Sequence, residues 1–103
     1  MQKISEELLQ ELEIPYHVIQ TSTGDMGAGK YRMNDIESWM PAREKYGETH
    51  SCSNLTDWQA RRLNTKFKNK DGKNDYCYTL NNTVLASPRI IMLFRKFVRP
   101  PLE

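Results

Sequence analysis

Turn-forming residues between two alternating stretches constrain the fold of this chain more than any other feature. Residues 64–68 alternate polar and apolar side chains, the run Asn-Lys-Asp-Gly-Lys occupies 69–73, and a second alternating stretch covers 75–80. Asp-Gly between alternating runs is a strong signal for a β-hairpin, because glycine tolerates the positive φ angles of tight turns. The sequence therefore predicts an antiparallel pair of strands here.

Three segments upstream of the hairpin also have strand character. Residues 16–20 alternate β-forming side chains after Pro15, and the apolar positions within 31–40 predict a strand with a bulge or kink. Residues 46–53 predict a third strand that is unusually polar. Such polarity favours a strand with one face lining a site rather than a core.

A helix is predicted near the N-terminus. Ile4, Leu8 and Leu12 share one face of a helix over residues 5–12. Ser5 is its expected cap, and Ile4 and Leu9 are expected to form a hydrophobic staple.

Two further helices are predicted. A short one runs to about Leu63, with Thr56 or Asn54 as its cap. The last helix is expected to begin within 84–87, with Pro88 in its first turn, where proline is tolerated. We expect it to be buried on several sides, because apolar residues lie nearly all round it: Ile90, Ile91, Met92, Leu93, Phe94 and Phe97.

Together these elements predict an α+β fold, an antiparallel sheet flanked by helices. The 103 residues suit one small domain or a piece of a larger one. With 38% hydrophobic and 27% charged residues, collagen-like and disulfide-dense chains are excluded. The apolar run at 90–94 is too short to span a bilayer, no signal peptide is evident, and a net charge of +2 is weak evidence for an anionic partner.

The two cysteines, Cys52 and Cys77, are too far apart for a CxxC motif. We expect two free, buried thiols in a reducing compartment and no disulfide. His50 and Cys52 have the residue types of a nucleophile pair. However, side chains that are neighbours in the sequence need not meet in space, and no third orienting group is evident.

The loop from Gly24 to Gly29 contains three glycines and precedes Lys30. It does not fit the phosphate-binding pattern GxxxxGK[ST], because Tyr31 stands where Ser or Thr is required. We predict a mobile loop rather than a phosphate cradle.

The polar strand carries the first candidate site. Glu48 and Ser51 offer the oxygen ligands that suit Mg²⁺. Residues three apart on a regular strand point to opposite faces, so these two can share a ligand only if a bulge or a strand end intervenes. The alternative is an exposed glutamate on an edge strand and serines that cap the next helix.

A second candidate site lies where the chain passes from strand to helix. Asn81 and Thr83 supply an amide and a hydroxyl that can bind a small polar ligand. Arg89, one turn into the helix, can hold a phosphate in bidentate fashion. A capped turn with a surface arginine is the alternative.

Basic residues form a third cluster, which with nearby Tyr and Phe could contact an RNA backbone. Alternating lysines in a hairpin are more commonly the solvated face of a strand. The cluster comprises Arg61, Arg62, Lys66, Lys68, Lys70 and Lys73.

Several strings, taken in order, resemble the seryl-tRNA synthetase family. They are Thr-Gly-Asp-Met-Gly at 23–27, Ile-Glu-Ser-Trp-Met-Pro at 36–41, Glu-Thr-His-Ser-Cys-Ser-Asn at 48–54, Gln-Ala-Arg-Arg at 59–62, and Thr-Leu-Asn-Asn-Thr at 79–83 with Ser-Pro-Arg at 87–89. Each is weak alone, but their order and spacing are specific. The resemblance covers nearly the whole chain up to Arg89, after which the sequence diverges.

The resemblance implies the last part of a class II catalytic domain, with the third signature motif at about residues 78–94, in a cytoplasmic, homodimeric enzyme of translation. By the same resemblance, Glu48 and Ser51 would hold the Mg²⁺ that bridges the ATP phosphates. Asn81 and Thr83 would line the serine pocket, and Arg89 would contact the γ-phosphate. The implied reaction forms seryl-adenylate from serine and ATP and transfers the seryl group to tRNA(Ser).

Several parts of the family's machinery have no counterpart among these 103 residues. They are the N-terminal tRNA-binding arm, the first two motifs, and the glutamate that holds the serine amino group. We therefore expect a segment that is inactive alone. The alternative is a non-catalytic module, derived from such a domain, that binds a nucleotide, an amino acid or RNA; whether Met1 is a true start stays open.

Overall fold

The chain folds around a four-stranded antiparallel sheet with strand order β1-β2-β3-β6, and β4 pairs separately with β5. Our computed structural model describes residues 1–94. The predicted α+β class is confirmed. The elements are α1 (Gln2–Glu11), β1 (Tyr16–Gln20), β2 (Arg32–Met40), β3 (Lys45–Thr56), α2 (Trp58–Leu63), β4 (Lys66–Lys68), β5 (Asn74–Tyr76), β6 (Thr79–Asn82) and α3 (Ser87–Phe94).

The ladder between β2 and β3 breaks register once. Ile36 pairs with His50, whereas Glu37 pairs with Glu48, so Thr49 is an extra residue on β3. One extra residue on one strand is a β-bulge. The bulge or kink predicted within 31–40 is therefore misplaced: the break lies opposite Ile36 and Glu37, but the extra residue belongs to β3.

The core lies on one face of the sheet, beneath α1 and α3. Leu9 of α1 packs with Ile90 and Leu93 of α3 against Ile36 and Met40 of β2. All five side chains are at least nine-tenths buried. Burial of apolar surface against this face therefore holds both helices on the same side of the sheet and leaves the opposite face uncovered by them.

The buried face of α1 differs from the predicted one. The helix begins at Gln2, so Ser5 lies inside it and is no cap. Ser5 is fully buried and its Oγ donates to the carbonyl of Thr83 at 2.9 Å, whereas Ile4 is 56% exposed. The predicted stripe and staple are therefore wrong, because a long-range hydrogen bond orients the helix.

The predicted hairpin exists, but its second arm is shorter than expected. Lys66–Lys68 pairs with Asn74–Tyr76 around a turn in which Gly72 has φ +76°. Residues 79–80, predicted in the same arm, instead pair with β3 as part of β6. The long strand β3 offers their backbone groups partners that the three-residue strand β4 cannot offer.

The cap predicted for α2 is wrong. Asp57 occupies the cap position, but its side chain makes no capping hydrogen bond to a backbone amide of the helix. Asn54 instead accepts a hydrogen bond from the amide of Thr56 through Oδ1, at 2.9 Å. That contact closes the sharp turn at Thr56, whose φ is +48°.

The predicted burial of α3 on several sides is also wrong for the part that the structure describes. Ile90 and Leu93 are buried, but Ile91 is 68% exposed. Phe97, included in that prediction, lies outside the described residues. Among residues 1–94, no helix has the length and apolar character needed to cross a membrane.

The glycine-rich loop is fastened at one end. Gly29 has φ +80°, and a Cβ there would lie 2.2–2.5 Å from ring atoms of Trp58. The amides of Asp25 and Lys30 donate to carbonyls within the loop or next to it. These amides are therefore engaged and do not face a phosphate, while the mobility of residues 24–29 stays a prediction.

Replacing Gly29 with alanine should lower the free energy of unfolding more than the same change at Gly72. Both positions have left-handed backbone, which costs alanine roughly 1–2 kcal/mol. At Gly72 a Cβ meets nothing within 4 Å, whereas at Gly29 it meets the Trp58 ring. We expect the overlap to add about 1–3 kcal/mol. Urea unfolding of both variants measures the difference, and equal losses would contradict the close contact.

Candidate ATP and amino-acid site

The bulge at Thr49 brings Glu48 and Ser51 to the same face of the sheet. Glu48 pairs with Glu37 and Ser51 pairs with Asp35. Directly paired residues present their side chains to one face, and Asp35 and Glu37 are two apart on a regular strand. A bulge thus intervenes between Glu48 and Ser51, which is the condition for a shared ligand. Their face is the one that α1 and α3 leave uncovered.

Arg89 reaches Glu48 from the first turn of α3. Its Nη1 donates to Glu48 Oε1 at 3.2 Å, and the two side chains are 48% and 44% exposed. Within the described chain, β6 pairs only with residues 52–56 of β3, so Glu48 lies on the part of that strand whose edge β6 leaves open. An exposed pair of this kind contributes only about 0–1 kcal/mol, so an anionic ligand can displace the carboxylate at little cost.

Asn81 and Thr83 lie on the neighbouring strand and just after it. Asn81 pairs with Ser53, which is two residues from Ser51 and therefore on the same face. The amide of Thr83 donates to the carbonyl of Ser51 at 2.9 Å, which extends the ladder by one residue. Asn81 is exposed and Thr83 is half-buried. The structure thus joins Glu48 to Arg89 through their side chains and Ser51 to Thr83 through their backbones.

Asp35, which was not among the predicted site residues, lies on the same face. Asp35 is 7% exposed. Its Oδ2 accepts a hydrogen bond from Thr21 Oγ1 at 3.1 Å, whereas its Oδ1 has no hydrogen-bond partner within residues 1–94. Burial raises the pKa of Asp35; the Thr21 hydrogen bond opposes this, and the carboxylates of Glu48 and Glu37 raise the pKa further. The signal in the sequence was two acids at positions 35 and 37, two apart on a predicted strand.

His50 lies on the helix-covered face and does not pair with Cys52. It is 1% exposed, and its Nδ1 lies 2.8 Å from Thr49 Oγ1. Burial lowers the pKa of His50, the backbone of Val84 opposes this, and the Arg89 guanidinium lowers the pKa further. A neutral His50 therefore holds the bulge residue, which is a structural role.

Cys52 and Cys77 are both free, which confirms the absence of a disulfide between them. Each is half-buried, so the expected full burial is wrong. Residues 1–94 contain no group of three or more His, Cys, Asp or Glu side chains placed to hold a metal ion. A metal on this face would thus take few protein ligands.

Residues 1–96 match the family model of the tRNA synthetase class II core domain (G, H, P, S and T). The chain belongs to this family. It is 60% identical over 88 residues to the serine–tRNA ligase of Deinococcus radiodurans, which is 85% of this chain and 21% of that protein. The chain, called the core segment below, thus spans about a fifth of the length of the curated relatives it matches.

Two solved structures resemble the core segment closely. Seryl-tRNA synthetase from Pyrococcus horikoshii complexed with ATP has a TM-score of 0.85 and 49% identity, over 90% of this chain and 21% of that one. The cytoplasmic serine-tRNA ligase from Naegleria fowleri in complex with AMP has a TM-score of 0.81 and 33% identity, over 94% and 23%. These likenesses confirm the resemblance to the seryl-tRNA synthetase family from which the fold and the site residues were predicted.

Asp35→Asn should raise the free energy of unfolding near neutral pH, and this gain should shrink as the pH falls toward 3.8, the ordinary value for the group. Because the pKa of folded Asp35 is raised, the unfolded chain releases its proton first as pH rises, and the ionised carboxylate then destabilises the fold. Asparagine keeps an oxygen for Thr21 and carries no charge.

Urea unfolding of this variant across the acidic range measures the effect, with Asp25→Asn in the exposed loop as the control. Any pH dependence that the two variants share is subtracted before the effect is assigned to Asp35. A stability difference between Asp35→Asn and the parent that stays constant with pH would contradict the raised pKa.

Proposed function

We propose that this core segment supplies part of the ATP and serine site of a serine–tRNA ligase. The observation that carries the proposal is the contact between Arg89 and Glu48, which joins the expected phosphate-binding arginine to the expected metal-binding carboxylate. The names of the relatives, and their complexes with ATP and AMP, support it. Since the segment spans about a fifth of those relatives, the reaction and its substrates belong to the proposal.

Glu48 and Ser51 would hold Mg²⁺. Both offer oxygen atoms on one face, and the Glu48 side chain is 44% exposed and therefore accessible. Mg²⁺ is commonly bound by one or two carboxylates, with water and substrate phosphates as its other ligands, so this small donor set fits. When bound, the ion would neutralise negative charge on the phosphate oxygens.

Arg89 would bind the γ-phosphate of ATP. The planar guanidinium presents paired donors that match two phosphate oxygens. Its contact with Glu48 keeps the side chain at the open edge of β3, beside the expected metal ligand. The arginine therefore needs only to exchange one anionic partner for another.

Asn81 and Thr83 would line the serine pocket. A carboxamide and a hydroxyl can both donate and accept hydrogen bonds, as recognition of the serine side chain requires. The backbone of Thr83 is held on two sides: its amide donates to Ser51, and its carbonyl accepts from Ser5. The serine residues on β3 and α1 thus position the end of this pocket.

The proposed reaction is in-line attack of the serine carboxylate on the α-phosphate, which gives seryl-adenylate and pyrophosphate. The seryl group then passes to the 3′ end of tRNA(Ser), and AMP leaves. Phosphoryl chemistry of this kind depends mainly on positioning and charge stabilisation, which a cation and an arginine supply. A homodimeric state and a cytoplasmic location belong to the same proposal, and free thiols fit a reducing compartment.

Arg89→Ala in the complete enzyme should lower serine-dependent ATP–pyrophosphate exchange by roughly 10²–10³-fold, the usual loss for one charge-stabilising group. Because the ion pair with Glu48 is exposed, the free energy of unfolding should change by no more than about 1 kcal/mol. Arg43→Ala, in the exposed turn after β2, is the control and should leave exchange unchanged. Unchanged exchange in Arg89→Ala would overturn the assignment of the phosphate site.

The 103-residue chain alone should give no measurable ATP–pyrophosphate exchange. A second-motif arginine and a glutamate for the serine ammonium group are expected of the family and have no counterpart here. Losing two such groups costs on the order of 10⁴-fold or more in rate if they act independently. Exchange near that of a complete synthetase, from this chain alone, would contradict the proposal that its catalytic groups are incomplete.

A further inference from the structure

We propose that the arm formed by α2 and the β4–β5 hairpin, residues 57–78, binds single-stranded RNA. None of the residues assigned to ATP, Mg²⁺ or serine lies in this arm, so the proposal concerns a second surface. Its chemistry combines lysines on one face of the hairpin with an open hollow, between the hairpin and α2, that is lined partly by aromatic rings. Identification of the RNA as a tRNA 3′ end rests on the proposed function, whereas binding of RNA does not.

The arm concentrates the positive charge of the chain. Its six basic and three acidic residues give it a formal charge of +3, although the whole chain carries only +2. The remainder of the chain is therefore slightly acidic. A local excess of cations on an almost neutral protein indicates an anionic partner at that place.

The lysines of the hairpin are available to such a partner. Lys66 pairs with Tyr76 and Lys68 pairs with Asn74, so both lysines lie on one face. That face has no acidic residue among its ladder positions, because Asp75 pairs with Phe67 on the other face. Within the described chain none of the arm's lysines forms a salt bridge: Lys66, Lys68, Lys70 and Lys73.

An open hollow of about 490 Å³ lies between α2 and the hairpin. Phe67 is 49% exposed and Tyr78 is 75% exposed, so both rings are accessible to a ligand. The guanidinium of Arg61 lies 4.8 Å from the centre of the Tyr76 ring. Aromatic rings and arginine planes are the surfaces on which unstacked bases stack. The hollow is lined by Asp57, Arg61, Phe67, Asp75, Tyr76 and Tyr78.

The carboxylates in the hollow favour a nucleic acid over an acidic peptide. Asp57 is paired with Arg61 at 2.7 Å, and Asp75 accepts from the Asn69 amide at 2.7 Å. Their remaining lone pairs can accept from the amino groups of bases, donors that the side chains of an acidic peptide do not offer. A duplex offers no unstacked base to the rings, so the combination fits a single strand.

The arm is attached to the strand that carries the expected serine pocket. Tyr78 directly precedes β6, and Thr79 Oγ1 donates to Gln59 Oε1 of α2 at 2.8 Å. That hydrogen bond fixes α2 to the start of β6. An RNA strand held by the arm would therefore lie next to the start of β6, the strand that contains Asn81.

Fluorescence anisotropy with a labelled, unstructured RNA of about twelve nucleotides, within the usual range of roughly 4–16 per site, tests binding by the 103-residue chain. The double variant Lys66→Gln/Lys68→Gln should weaken binding about tenfold and reduce the slope of log affinity against log salt by roughly 1.4, which is 0.7 for each phosphate contact. Lys3→Gln/Lys45→Gln removes the same charge from exposed positions elsewhere and should leave both quantities unchanged.

A second pair of variants tests the hollow. Tyr78→Ala should weaken binding about tenfold, because one base loses its stacking partner. Tyr31→Ala is the matched control, since Tyr31 is 74% exposed and lies outside the arm. In the complete enzyme Lys66→Gln/Lys68→Gln should raise the KM for tRNA and leave ATP–pyrophosphate exchange unchanged, a readout that does not need the isolated chain to fold.

Three results would overturn the proposal. They are equal weakening by the arm and control lysine variants, equal weakening by the two tyrosine variants, and binding of heparin or an RNA duplex as tight as that of the single strand. Failure here is distinct from failure of the nucleotide site, because Arg89→Ala is read by exchange and the arm variants by RNA affinity.

Discussion

The position of one hydroxyl, that of Thr49, is the constraint on which the candidate site depends. It lies 2.8 Å from Ser38 Oγ and 3.2 Å from the carbonyl of Ile36, entirely buried under the helices. His50 approaches the same hydroxyl from β3. These contacts hold an extra residue in the strand, and the extra residue turns Glu48 and Ser51 to one face. In a regular strand Ser51 and Glu48 would lie on opposite faces, and no common ligand could reach both.

The difference in length between β3 and β6 gives the site its second property. β3 has twelve residues and β6 has four, so part of β3 keeps an open edge on that side within the described chain. The chain leaves β6 at this edge and enters α3, where Ile90 and Leu93 fix the helix against the core. Arg89, from the first turn of the same helix, is thereby held beside Glu48. Apolar packing on the helix-covered face thus places the Arg89 guanidinium beside Glu48, which belongs to the uncovered face.

The uncovered face of the sheet gathers three carboxylates. Asp35, Glu37 and Glu48 share it, and their mutual repulsion together with burial raises the pKa of Asp35. Arg89 and Lys30 offset part of this charge. In the proposed function, a bound Mg²⁺ would offset more of this charge. The arm of residues 57–78 carries a net positive charge instead.

The sequence by itself determined the local elements and the family. Alternation and the Asp-Gly turn predicted the hairpin, because a tight turn depends on neighbours along the chain. The bulge predicted within 31–40 lies instead on β3, where contacts with β2 hold its extra residue. The ordered strings identified Glu48, Ser51, Asn81, Thr83 and Arg89 as candidates, and the comparisons confirmed the family that these strings implied.

Only the tertiary structure decided which contacts those elements make. Ser5 turned inward because Thr83, far along the chain, offers it a carbonyl. Residues 79–80 left the hairpin for β3, and Asp35 became a buried acid beside Glu48. Each outcome depends on partners that are distant in sequence, and periodicity reports only on residues within a few positions of each other. The pairing of strands across the sheet therefore had to be known before the site could be built.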